Sequence, residues 1–122
     1  MGRLSLLVLG IALAASAAGK PFVASTARSF EDLMSEAMIR MHHGMSDAPQ
    51  DGDPDHGFVT QMIPHHQGAI DMAEVLLVYG KDPALRQLAK GIIADQQNDI
   101  QVMQLWLARH PAGPAPTKRK NP

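Results

Sequence analysis

The sequence contains no cysteine, and that absence removes disulfides, thiolate metal clusters, thiol catalysis and cysteine-linked lipid from consideration. Aromatic residues are scarce at 4%, so a core must be assembled from Leu, Ile, Val, Ala and the eight methionines. Neither sign of charge dominates: eleven Lys and Arg stand against twelve Asp and Glu, for a formal net charge of -1. A nucleic-acid partner leaves a basic footprint and an acid-rich disordered chain the opposite one, and neither is present. Long apolar runs are missing as well, with one exception at the start.

That exception is MGRLSLLVLGIALAASAAGKP, which has a basic Arg3, an apolar run from Leu4 through Ala18, and small residues suited to cleavage near Ala15-Ser16-Ala17. Residues 1–19 are therefore expected to be a signal peptide. The run is shorter than the roughly 20 residues a spanning helix needs, which favours export over a retained membrane anchor. The remaining residues of a 122-residue chain leave room for one domain, expected over residues 28–110.

Within that domain the apolar residues recur at helical spacing. Ser29 with Asp32 three residues on has the pattern of an N-cap, and Phe30, Leu33, Met34, Ala37, Met38, Met41 and Met45 follow on one helix. The turn-forming run SDAPQDGDP, residues 46–54, ends in Asp53-Pro54, a cap followed by a first-turn proline. A second helix is expected from Pro54 to Tyr79, with Phe58, Met62, Ala69, Ala73 and Leu76 on its inner stripe and Gly80 as its stop. Asp82-Pro83 repeats the cap. Leu85, Leu88, Ala89, Ile92, Ile93, Ile100, Met103 and Leu107 then trace a third helix ending near His110-Pro111. The tail, residues 111–122, is rich in Pro and Ala, finishes on Lys118, Arg119 and Lys120, and is expected to be disordered. The fold class is all-α: helices two and three form an antiparallel hairpin, and the Met-rich first helix packs on it. A domain this small buries a modest share of its surface, so a homodimer that completes the bundle is a reasonable expectation.

The side chains with chemistry to offer are thioethers and imidazoles. On helix two, Met62 is flanked at i+3 and i+4 by His65 and His66, so both rings are expected to lean inward, and Met72 lies on the side of His65. On helix one, Met34, Met38, Met41 and Met45 fall within a narrow arc, with His42 at its edge and His43 directed to solvent. Thioether sulfur selects Cu(I) or a similar soft ion such as silver over Mg, Ca or Mn, and imidazole accepts copper in either oxidation state. Methionine also suits an oxidising compartment, because it binds without deprotonation and forms no disulfide. The plainer reading is that Met at helical spacing only fills the core, and for Met34 that reading is preferred. Burying two imidazoles without partners costs on the order of 1–3 kcal/mol for each unsatisfied group, which favours ligation at His65 and His66. Gln96, inside the third apolar stripe, is a candidate for orienting a ligating histidine, with Met38 and Met103 as further weak candidates. His56 and His110 sit at helix ends, where a cap or dipole role suffices. Pro64 removes the hydrogen bond to the carbonyl of Thr60, so a kink just before His65 is expected.

The block from Phe58 to His110, and above all MIPHHQGAIDMA at residues 62–73 with the upstream Met41-His42-x-x-Met45 and the downstream Met103 and Trp106, closely resembles the domain-of-unknown-function family 305. The resemblance implies an exported bacterial protein, periplasmic or extracellular, with a ferritin-like helical bundle. Some members of that family bind copper in the periplasm, which implies Met41, His42, Met45, Met62, His65, His66 and Met72 as metal contacts. One departure is Gly57, where members often carry Asp before the Phe. Three functions follow as expectations. The first is a non-enzymatic protein that sequesters copper or delivers it to a copper-handling partner. The second is a structural or interaction domain without metal. The third is a di-metal oxidase, which the sequence disfavours because Glu31, Glu36 and Glu74 have no His three residues on.

Overall fold

The computed structural model describes residues 19–113. The expected signal peptide up to Ala18 and the tail from Pro114 onward lie outside the described residues. Three helices make up the chain between them, α1 (Phe30–Ser46), α2 (Pro54–Tyr79) and α3 (Pro83–Arg109), and no strand occurs among the described residues. The fold is an all-helical bundle.

Each helix begins where its cap dictates. The Ser29 hydroxyl accepts from the Asp32 amide at 3.1 Å, the Asp53 carboxylate from Asp55 at 2.8 Å, and the Asp82 carboxylate from Leu85 at 2.9 Å. Each such cap satisfies an amide with no intrahelical partner and contributes about 1 kcal/mol. Pro54 and Pro83 occupy the first turns of α2 and α3, where a missing N–H costs nothing. Between α1 and α2 the chain turns at Gly52, whose φ of +89° is open to glycine and strained for other residues.

α2 is the centre of the molecule. α1 and α3 both pack on it rather than on one another, though Phe30 and Met34 of α1 share a groove with Leu88 and Ile92 of α3. At about 100° per residue, Gly68, Asp71 and Val75 share the flank that meets α1, while Val59, Ile70 and Ala73 share the flank that meets α3. All six are buried.

This arrangement corrects the stripe expected for α2. Phe58 is 63% exposed and Met62, Ala69 and Leu76 are half-buried, so Ala73 is the only member fully inside. The stripe assumed one neighbour, whereas α2 has two on nearly opposite flanks, and the stripe falls in the gap between them. α3 departs similarly: Leu85 and Leu88 are exposed and Ala89 is its only buried residue.

α1 meets α2 at two glycines. A Cβ on Gly44 would stand 2.6 Å from Cβ of Pro64, and one on Gly68 would stand 2.7 Å from Cβ of Met41, so both positions admit only hydrogen. α2 continues through Pro64 as one helix, and the proline ring is seated on Gly44. Leu33 and Ala37 are fully buried in the same seam. The segment before α1 lies along the pair: the Arg40 guanidinium stands 6.0 Å over the Phe22 ring, and the Tyr79 hydroxyl donates to the Arg28 carbonyl.

Candidate metal centre

The register of the α1–α2 seam follows from Phe30 against Tyr79, Met41 over Gly68 and Gly44 over Pro64. The helices run antiparallel, so Met45 falls level with His65 and Met38 level with Met72. Met34 and Met72 line one apolar groove of about 340 Å³ together with Phe30, Ala69, Leu76, Leu88 and Ile92. Two thioethers, one from α1 and one from α2, thus meet in this groove. Met41, Met45, Met62 and Met72 are half-buried, while Met38, His42 and His43 are exposed.

Met41 also borders a cavity of about 410 Å³, lined by Pro21 and Phe22 of the leading segment and by Arg40, Pro64, Gln67, Gly68, Asp71 and Glu74. Asp71 is only 3% exposed and accepts from the Gln67 amide at 2.8 Å. Burial raises its carboxyl above the usual carboxylate range, and burial together with the Asp71 charge does the same to Glu74. Both carboxyl groups of the cavity are thus harder to ionise than free ones, with the Arg40 guanidinium partly offsetting this at Asp71.

The two adjacent histidines part company. His65 is exposed, and its ring centre lies 6.0 Å from that of His66. His66 turns away from α1 and toward α3: Nδ1 donates to the Met62 carbonyl at 2.8 Å, and Nε2 faces Oδ2 of Asp99 at 3.3 Å. The expectation that both rings lean into a space shared with α1 is corrected here, because neighbours 100° apart on a helix cannot face the same partner. Of the weaker candidates, Gln96 is half-buried one turn before Asp99, and Met103 sits in a separate groove with Phe58, Val59 and Trp106. Among the described residues no three of His, Asp and Glu converge as a metal-holding group. The α1–α2 donor set is instead dominated by sulfur.

Sequence reasoning missed a polar clasp at the opposite end of α2. His56, which is 8% exposed, donates from Nδ1 to the Asp51 carboxylate and from Nε2 to the His110 carbonyl at 2.8 Å. With both nitrogens facing acceptors, the surroundings favour the protonated ring, and the Asp51 carboxylate beside it pushes its pKa up from 6.5. Trp106 packs edge-on against His56 at 5.3 Å and stacks on His110 at 4.3 Å. One signal was available: a cationic ring in the first turn of a helix opposes the dipole, so His56 among Asp51, Asp53 and Asp55 called for an acidic partner. Its second partner, 54 residues away, leaves no local trace.

Fold and donor set define a small, cysteine-free helical domain whose central helix carries the Met-x-x-His-His segment. The chain belongs to the family described as Domain of unknown function (DUF305), whose model matches residues 55–121. That match starts at the first turn of α2 and therefore leaves out α1, which was expected to share the domain. An uncharacterised protein of Acanthamoeba polyphaga mimivirus is 45% identical to it over 49 residues, 40% of this chain and 32% of the viral protein. The matched stretch thus spans about a third of that relative's length.

Proposed function

We propose that the protein binds copper as Cu(I) outside the cytoplasm and holds it or passes it to a copper-handling partner, without catalysing a reaction. The observation that carries this reading is the set of thioethers on α1 and α2: Met34 and Met72 share one groove, Met41 and Met45 are half-buried and Met38 is exposed, with no thiolate and with His65 exposed level with Met45. Such a set suits a soft monovalent ion, with Ag(I) as a close substitute. Half-burial leaves these side chains reachable by an incoming ion.

Titrating the purified chain with Cu(I) against a chromogenic chelator tests the reading. The protein is expected to withdraw at least one equivalent from the chelator. Replacing Met41, Met45 and Met72 together by Leu, which nearly conserves volume, should abolish withdrawal while the helical circular dichroism is kept. No competition by the unaltered chain ends the proposal.

An interaction domain without metal is the second reading, favoured by the exposed apolar side chains of Phe58, Leu85, Leu88, Val102 and Leu105. It requires the triple Leu chain and the unaltered one to behave alike toward Cu(I).

A further inference from the structure

The geometry points to an antiparallel homodimer formed along the open stripe of α2, with a second copy of this chain as the occupant of that stripe. The inference uses no ligand and stands apart from the copper reading. Three observations carry it.

First, the stripe has the period of a helix seam. Phe58, Met62, His65, Ala69, Met72 and Leu76 follow one another at alternating steps of four and three residues. That is the spacing of a coiled coil, which calls for a partner helix at a shallow crossing angle. Among the described residues no helix lies over it, because α1 and α3 take the two flanks of α2. Phe58 is left 63% exposed and His65 exposed, while the other four are half-buried. A single layer of helices with an apolar face is completed by a second layer.

Second, the stripe matches itself when reversed. Phe58 with Leu76, Met62 with Met72, and His65 with Ala69 are pairs equidistant from position 67, close to the middle of α2. A two-fold axis across that point sets Phe58 of each copy against Leu76 of the other and Met62 against Met72. The one polar member, His65, meets the smallest, Ala69, and a lone polar residue in a seam fixes its register. Each contact occurs twice, as an isologous interface requires. The ends of the stripe also provide room. An apolar groove of about 340 Å³, walled by Phe30 and Ile92, lies beside Leu76 and receives the Phe58 ring of the second copy.

Third, the area suffices. α2 has 26 residues and is about 39 Å long, so with the grooves on either side, a width of about 20 Å, it offers about 800 Å² per copy. A stable interface of standard size takes about 800 Å² from each partner. The chain's own tail is no substitute: residues 114–122, PAPTKRKNP, contain no apolar side chain larger than proline and cannot supply the layers of a seam.

Sedimentation velocity of the purified chain over a range of micromolar concentrations, with a metal chelator present, tests the proposal. A concentration-dependent dimer is expected. Phe58→Lys, at an exposed position, should raise the dissociation constant at least about tenfold and leave the helical circular dichroism unchanged. Leu105→Lys, similarly exposed but nearly opposite the buried Ala89 on α3, should leave the dimer as it was. Because the chain has no cysteine, introduced ones read the register. Positions 58 and 76 lie about 27 Å apart on one α2, too far for a disulfide within a chain. Phe58→Cys combined with Leu76→Cys should therefore oxidise to a covalent dimer, and neither substitution alone should do so. A monomer at every concentration, the result if residues 1–18 or a different protein cover the stripe, overturns the proposal. So does a dimer indifferent to Phe58→Lys, and so does ready crosslinking of Phe58→Cys alone. Failure of the copper reading shows separately, as no withdrawal of Cu(I) by the unaltered chain.

Discussion

The two flanks of α2 are held in different ways. On the α1 side the contact is close apolar packing: Leu33 and Ala37 are fully buried, and Gly44 and Gly68 let Pro64 and Met41 approach to a distance no other residue permits. On the α3 side Ala89 is the only buried residue that α3 itself contributes against Val59, Ile70 and Ala73 of α2, and polar contacts pin the helix along its length. Arg86 donates to the carbonyls of Leu77 at 2.6 Å and Gly80 at 2.9 Å at one end, His56 reaches the His110 carbonyl at the other, and His66 faces Asp99 between them. Apolar packing is indifferent to pH and to ions; carboxylate and imidazole contacts respond to both. Apart from the cavity that holds Asp71 and Glu74, the α1 seam is thus set by shape, whereas the α3 seam is set by polar contacts as well.

The largest test of this contrast is a pair of leucines. Leu33→Ala is expected to cost about 2–5 kcal/mol, as for a buried leucine whose site cannot collapse. Leu88→Ala, on the exposed face of α3, should stay within about 0.5 kcal/mol. Denaturant melts of the two variants measure the difference, and equal losses would mean that α3 is packed as tightly as α1.

A pair of glycines sharpens it. Gly68→Ala forces a methyl against Met41, and overpacking of about 1–3 kcal/mol outweighs the roughly 1 kcal/mol that alanine gains in a helix. Gly91→Ala on α3 meets nothing within 4 Å and should stabilise by about 0.5–1 kcal/mol. Opposite signs in thermal melting are expected. A stabilising Gly68→Ala would show that the α1 seam is slack.

The smallest expected effect is that of pH on the clasp. The His56 pKa is raised above 6.5, so its contribution to stability is complete below that value and is lost as pH rises through the folded value. The Asp51 pKa is lowered below 3.8, so its contribution is complete above that value and is lost as pH falls through the folded value. The clasp is therefore firmest between these limits. Fluorescence of Trp106, the only tryptophan, should report its loosening on the alkaline side. His56→Gln should flatten that profile; an identical alkaline transition in the variant would assign it to another group.

Local chemistry made the helices legible. Ser29, Asp53-Pro54 and Asp82-Pro83 each announce a start, and each helix begins there. The order of packing was less accessible, because α2 is apolar on nearly every side and its own periodicity does not reveal that two neighbours occupy opposite flanks. Phe58 was placed inside for that reason, and His66 was assigned to α1 when it faces α3. The thioethers of α1 were recognisable from spacing, since one face of one helix gathers them. Asp51, Asp99 and the His110 carbonyl were not, because their meaning depends on partners brought near by tertiary packing alone.

Since the outer helices pack on α2 rather than on each other, a change on one reaches the other mainly through α2 or the groove that Phe30 and Met34 share with Leu88 and Ile92. Free-energy losses from distant positions without shared neighbours add to within about 0.3–0.5 kcal/mol. Away from that shared groove each flank is a separate ledger, and drift in the far end of α3 leaves the requirements on α1 as they were.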